Sequence, residues 1–290
     1  MLKIQSAAYY DDRKIIFDNI NVDFLENKIY GLISENDVDT SLLLKCINGI
    51  FQVNEGSITY QNKTVFDNLN YIRSVFLLDD NYYFNGFNLK MLIKYIANNF
   101  ECIIDQSTYN DLLKRLDYNE NKPFFTMSKG QQKLAYFIIM FSLDFKVILL
   151  DEFFDGIDMI YKKYLKTLVK DYVSKNDVIL IMASNSVKDI YDICDEVIIF
   201  SKGTIKAQYN IDTLNHLYKK YQVVTSDKLT IDDFKLKGID VKGYSSFKNI
   251  HQLTIPNNQE QVDLIHHIDS LDIKELKPSE EEVILYELRH

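Results

Sequence analysis

Apolar positions along the chain follow two periods, and the alternation between them predicts the architecture. Residues 2–34 alternate and end in the apolar runs "KIIFDNINVDF" and "KIYGLIS", which predict strands. The second run feeds a turn and then apolar positions at helical spacing, Leu42, Leu43, Leu44, Ile47 and Ile50. "NEGSITYQNKTVF" and "NYIRSVFLLDD" each predict a strand, and residues 88–116 a pair of helices. A further helix opens at "MSKGQQKLAYFIIM". Two buried strands follow, "KVILLDE" and "DVILIMASN", each leading into a helix, and "DEVIIF" and "GTIKAQYN" close the unit. Apolar strands alternating with helices predict an α/β fold on a mainly parallel sheet covered on both faces. A short helix is expected over 212–220, with a domain boundary near 213. Beyond it the pattern reads strand, helix, strand, strand, helix, strand, helix, a small α+β domain over 213–290.

Composition narrows the classes. At 47% hydrophobic, the 290-residue chain can bury a sizeable core. A net charge of -9 argues against nucleic acid as a partner, because that surface would be basic. Cys46, Cys102 and Cys194 are odd in number and in no metal spacing, so buried thiols in a reducing compartment are expected. The opening "MLKIQSAAYYDDRK" lacks the apolar core of a signal peptide. The longest apolar run, Leu134 to Leu143, is half of the ~20 residues a spanning helix needs.

"GLISENDVDTSLLLKCINGI" has the outline of a phosphate-binding loop and its helix. Such a loop turns successive N–H groups inward on glycines, adds a helix N-terminus, neutralises phosphate with a lysine and holds Mg²⁺ with a hydroxyl. Here Ser34, Asp37 and Asp39 occupy glycine places and Thr40 the lysine place, while Asn36 lies in the turn. Ser41, ahead of Leu42, keeps the magnesium hydroxyl. A carboxylate ~4 Å from a phosphate oxygen is repelled by ~4 kcal/mol at an effective dielectric of about 20. Weak or absent ATP binding is therefore expected, unless the acids turn outward. Alternatively, "SENDVDTS" is a plain strand-to-helix turn in which Asp39 or Thr40 caps the helix.

Three further stretches stand in register with that loop. "MSKGQQ" opens a helix on Ser128, a good N-cap over an anion-favouring helix end. "VILLDE" places Asp151 and Glu152 at a strand end, where one acid can hold Mg²⁺ through water and the next orient an attacking water. "FDGID" follows as a turn into a helix.

In this order, over residues 2–212, these motifs closely resemble the nucleotide-binding subunit of an ABC transporter. The ending "LKPSEEEVILYEL" is similar to drug- and peptide-exporting subunits. The resemblance implies a P-loop NTPase-like domain over 1–212 with a helical subdomain at about 84–140, and Mg-ATP as cofactor. It implies a cytoplasmic place on the inner face of the cell membrane. It also implies permease partners and a second ABC ATPase subunit, a heterodimer being favoured over pairing with itself. Tyr10, or Tyr9, is similar to the aromatic that stacks on adenine. Asp79 stands at the Q-loop place, and Asn185 at the switch-histidine place. All five histidines lie at or beyond His216. Asp151, Glu152 and, in the D-loop, Asp158 are kept. So are Ser128, Gly130 and Gln131 of the signature, followed by Gln132, with Lys129 replacing a glycine. In the family, each ATP lies between one subunit's loop and the other's signature. The losses therefore fall on the chain's own site, and the retained signature would serve a partner's. Slow hydrolysis by this chain, or a regulatory or immunity homodimer on a permease, are the alternatives.

Overall fold

The computed structural model describes residues 1–11, 14–34, 37–79, 84 and 86–289. It divides into two compact units, Met1–Gln208 and Tyr209–His290. The first runs β1 (Leu2–Asp11), β2 (Lys14–Phe24), β3 (Lys28–Ser34), α1 (Asp37–Asn48), β4 (Glu55–Tyr60), β5 (Lys63–Thr64), α2 (Leu69–Ile72) and β6 (Val75–Leu78). It continues with α3 (Leu89–Phe100), α4 (Gln106–Arg115), α5 (Lys129–Ser142), β7 (Val147–Asp151), α6 (Met159–Val173), β8 (Ile179–Ala183), α7 (Val187–Ile193), β9 (Glu196–Ser201) and β10 (Thr204–Asn210), which crosses the boundary.

One sheet has the order β2-β1-β4-β5 and the other β10-β9-β3-β8-β7-β6. In the second, β9, β3, β8, β7 and β6 pair in parallel. Every residue of β6 and β8 is buried, as are the first four of β7, so these strands read as unbroken apolar runs. Solvent-facing alternation appears instead in strands with one open face, such as β2 of the first sheet and the edge strand β10 of the second. Leu43, Leu44 and Ile47 of α1 join the core between the sheets, which explains the helical spacing of those residues. Side-chain caps set the insert between β6 and β7: Asn88 receives the Met91 N–H at 2.9 Å and Asp105 the Ser107 N–H at 3.0 Å.

The second unit runs α8 (Ile211–Leu214), β11 (Tyr218–Val224), α9 (Ile231–Leu236), β12 (Gly243–Phe247), β13 (Ile250–Pro256), α10 (Gln259–His266), β14 (Asp272–Leu276) and α11 (Glu280–Arg289). Its antiparallel sheet has the order β12-β13-β11-β14 around a core including Tyr221, Phe234, Leu253 and Ile265. The helix expected over 212–220 stops at Leu214. Tyr218 and Lys220 instead pair with Pro256 and Thr254, so ladder pairing overrides the local pattern there. Among the described residues, no helix is long and apolar enough to cross a membrane.

Candidate functional site

Five of the singled-out positions, Ser34, Asp79, Asp151, Glu152 and Asn185, stand in one row. β3, β8, β7 and β6 are parallel neighbours, so their carboxyl ends open on the same edge of the sheet. Ser34 ends β3 ahead of α1, Ser184 and Asn185 follow β8, Asp151 ends β7 with Glu152 next, and Asp79 follows β6. Register ties them, with Leu32 opposite Ala183 and Ala183 opposite Asp151. Ligands of open α/β sheets bind outside such strand ends.

On the loop side of this row, β3 leads into α1. α1 begins at Asp37, so Asp39 and Thr40 lie within its first turn and neither is the cap the plain-turn alternative required. Both side chains are buried, at 7% and 4% exposure, whereas Ser41 and Leu42 are half-buried. Asn36 lies outside the described residues, and only the backbone of Asp37 is described. Asp79 is engaged by Lys45 from the last turn of α1, Nζ to Oδ2 at 3.6 Å. On β1, Tyr9 packs on the core, with ring centroids 5.9 Å from Phe17 and 6.0 Å from Phe51. The half-buried Tyr10 is tied by its N–H to Asn54 Oδ1 at 2.7 Å, and burial and nearby Glu55 push its hydroxyl up.

Glu152 sits where several elements meet. Its φ of +46° lies in the left-handed region, which costs a glutamate about 1–3 kcal/mol and persists only when its surroundings hold it. Here the Glu152 N–H donates to the Ala183 carbonyl at 3.1 Å, and its own carbonyl receives the Asp155 N–H at 3.2 Å. Lys133 Nζ, from α5, donates to the same carbonyl at 2.7 Å. The carboxylate accepts the Asn185 N–H at 2.8 Å and faces the Ser184 hydroxyl at 3.4 Å. Asn185 thus contacts Glu152 through its backbone N–H.

The stretch that opens α5 is exposed and capped. Ser128 Oγ accepts the Gln131 N–H at 3.2 Å and Gln131 Oε1 accepts the Ser128 N–H at 3.3 Å, a capping box that fixes the start of α5. Ser128, Lys129 and Gln131 face solvent. Gln132 donates from Nε2 to the Phe124 carbonyl at 2.9 Å. Gly130 abuts the turn after β7, for a β-carbon on it would stand 2.6 Å from the Gly156 carbonyl oxygen. Asp158 ends that turn by capping α6, accepting the Ile160 N–H at 2.9 Å.

Two contributors were missed by the motifs. Lys133 is buried at 9% exposure, and its one visible signal is a lysine directly before the run "LAYFIIM". Asp189, at 2% exposure, takes Lys162 and Lys166 of α6, each at 2.6 Å. Burial pushes the Asp189 carboxyl up, but the two ammonium groups outweigh it and hold it below the usual carboxylate value. Nothing local in the sequence marks that cluster.

Residues 17–155 match the family model described as "ABC transporter". The ABC transporter ATP-binding protein YtrB of Bacillus subtilis is 21% identical over 264 residues, 90% of this chain and 88% of YtrB. The energy-coupling factor transporter ATP-binding protein EcfA2 of Staphylococcus epidermidis is 26% identical over 207 residues, 66% of this chain and 72% of its own. Among solved structures, an ATP-binding subunit of an ABC transporter superposes with a TM-score of 0.67 at 17% identity, covering 74% of this chain and 92% of its own. The dimeric bacterial ABC transporter cassette MJ0796 superposes at 0.64 with 13% identity, over 73% of this chain and 99% of its own. The first unit has the fold of a P-loop ABC nucleotide-binding domain.

Proposed function

We propose that this chain is an ATP-binding subunit of the ABC-transporter family, degenerate at its own nucleotide site, that lends its signature to the site of a partner ATPase. One observation carries the reading. The retained elements form a single packed block, in which Gly130 is seated on Gly156, Lys133 is bonded to Glu152, and Asp158 caps the next helix. Ser128, Lys129 and Gln131 stand exposed on it. The altered positions are closed off, with Asp39 and Thr40 buried and Asp79 held by Lys45. A buried threonine cannot supply the phosphate-neutralising charge of the loop lysine.

Mg-ATP is the nucleotide of the family, and here it would meet Ser41 and Asp151 as the remaining metal-side groups. Permease subunits and a second ATPase subunit are the partners, on the cytoplasmic face of the membrane. The dimeric MJ0796 cassette supports such pairing. An apolar cavity of about 230 Å³ in the first unit, lined by Phe84, Tyr95, Phe100 and Tyr136, suits contact with a permease segment. Export rather than import rests on the C-terminal ending alone, and the match to YtrB extends over most of the chain.

The test is the ATPase rate of the complex purified from membranes with this chain in place. Ser128→Arg fills the signature surface and removes most turnover if the signature acts in trans. An unchanged rate overturns the reading. Slow hydrolysis at the chain's own site is the second reading, favoured by the retention of Glu152 in the strand-end row. It requires turnover by the isolated chain.

A further inference from the structure

Three segments of the first unit are joined by a continuous set of contacts centred on Glu152. From α5, Lys133 Nζ reaches the Glu152 carbonyl oxygen at 2.7 Å, and one turn earlier Gly130 leaves no room against Gly156. The first two turns of α5 therefore touch the 152–156 segment at two points. From that segment, Glu152 reaches the end of β8 at two points as well. Its N–H donates to the Ala183 carbonyl at 3.1 Å, and its carboxylate accepts the Asn185 N–H at 2.8 Å. Ser184 Oγ then receives the Ser186 N–H at 3.1 Å, at the start of α7.

We propose that Lys133 is a positioning residue, which couples the N-terminal two turns of α5 to the Asn185 turn through the backbone of Glu152. Three features support it. A lysine at 9% exposure has given up most of its water, so its bond to the carbonyl is not loosely exchanged with solvent. The bond falls on a residue whose left-handed backbone needs holding. The side chain of that same residue grips the next segment, so a shift of its backbone moves the grip. In this role Glu152 is a joint, whether or not its carboxylate ever activates water. The coupling deepens the trans-signature reading by giving the signature a route to the strand-end row of its own subunit, and for activity it rests on that reading.

Hydrogen exchange in the full chain tests the coupling without any nucleotide. Lys133→Met keeps the length and removes the donor. Exchange of the Asn185 N–H should quicken about two- to thirty-fold over that of β9 amides, the range of coupling energies carried by single residues. Lys133→Arg should restore it. Equal quickening of Asn185 and β9, or none at Asn185, overturns the proposal, since a merely structural lysine would loosen the unit evenly. Coupling is reciprocal. If Lys133→Met does not fold, Glu152→Ala should quicken exchange of the Gln132 N–H, and no change there overturns the proposal equally. In the membrane-purified complex, Lys133→Met should lower kcat by a similar factor with KM for ATP unchanged. Ser128→Arg separates the two claims. No effect of Ser128→Arg on turnover, with the exchange coupling intact, would sink the trans-signature reading alone. Loss of turnover without exchange coupling would sink this proposal alone.

Discussion

Gly130 and Gly156 meet so closely that a β-carbon added to Gly130 would lie 2.6 Å from the Gly156 carbonyl oxygen. Removing a glycine from a helix ordinarily gains about 1 kcal/mol. Here the obstacle is backbone and cannot rotate away, and overpacking costs about 1–3 kcal/mol. Gly130→Ala should therefore lower stability despite its better helix propensity. Thermal unfolding of the full chain checks this, and an unchanged or raised Tm would mean that the two turns are not in contact.

The loop makes an opposite prediction, a gain of function. Asp39→Gly with Thr40→Lys replaces a buried acid and a buried hydroxyl by the residues a phosphate cradle uses. Removing ~4 kcal/mol of repulsion per charge pair, at an effective dielectric of about 20, should tighten Mg-ATP binding by at least tenfold. Calorimetry on the double variant measures it. Affinity no better than that of the unaltered chain would show that the acids are not what blocks the site.

Asp189 ties α6 to α7 through Lys162 and Lys166 while almost fully buried. Asp189→Asn takes the carboxylate from Lys162 and leaves Lys166 with Asp192 alone, and should cost about 1–3 kcal/mol, measured by denaturant unfolding. The sign with pH follows from the depressed carboxyl. Its contribution is complete above the unfolded value of 3.8 and is lost as pH falls through the lower folded value. The variant's stability should therefore vary less with pH in that acid window.

Thiol chemistry should separate the cysteines. Burial pushes the Cys46 thiol up to about 12 and the Cys194 thiol well up, and both are buried. Cys102 is only half-buried, although burial raises it too. At neutral pH a maleimide should label Cys102 slowly and the other two only in denaturant. Mass spectrometry of the labelled peptides decides it.

The strands were legible because β6, β7 and β8 are buried and must be apolar along their length. The start of α5 was legible because Ser128 and Gln131 carry a local capping pattern. Tyr218–Lys220 was not, since its strand exists through pairing with Thr254–Pro256. Asp39 and Thr40 also escaped local reading, because whether a polar residue caps a helix or lies within it depends on where the helix starts. Lys133 and Asp189 were hidden for a related reason. A buried charge is recognised by its partner, and these partners come from other elements, Glu152 and the lysines of α6.

The central claim, a subunit whose own cradle no longer holds nucleotide, is tested most directly by calorimetry of the isolated full chain with Mg²⁺ and millimolar ATP. The account predicts no binding in the micromolar range. A micromolar Kd would contradict it, and hydrolysis through Glu152 would then become the leading activity.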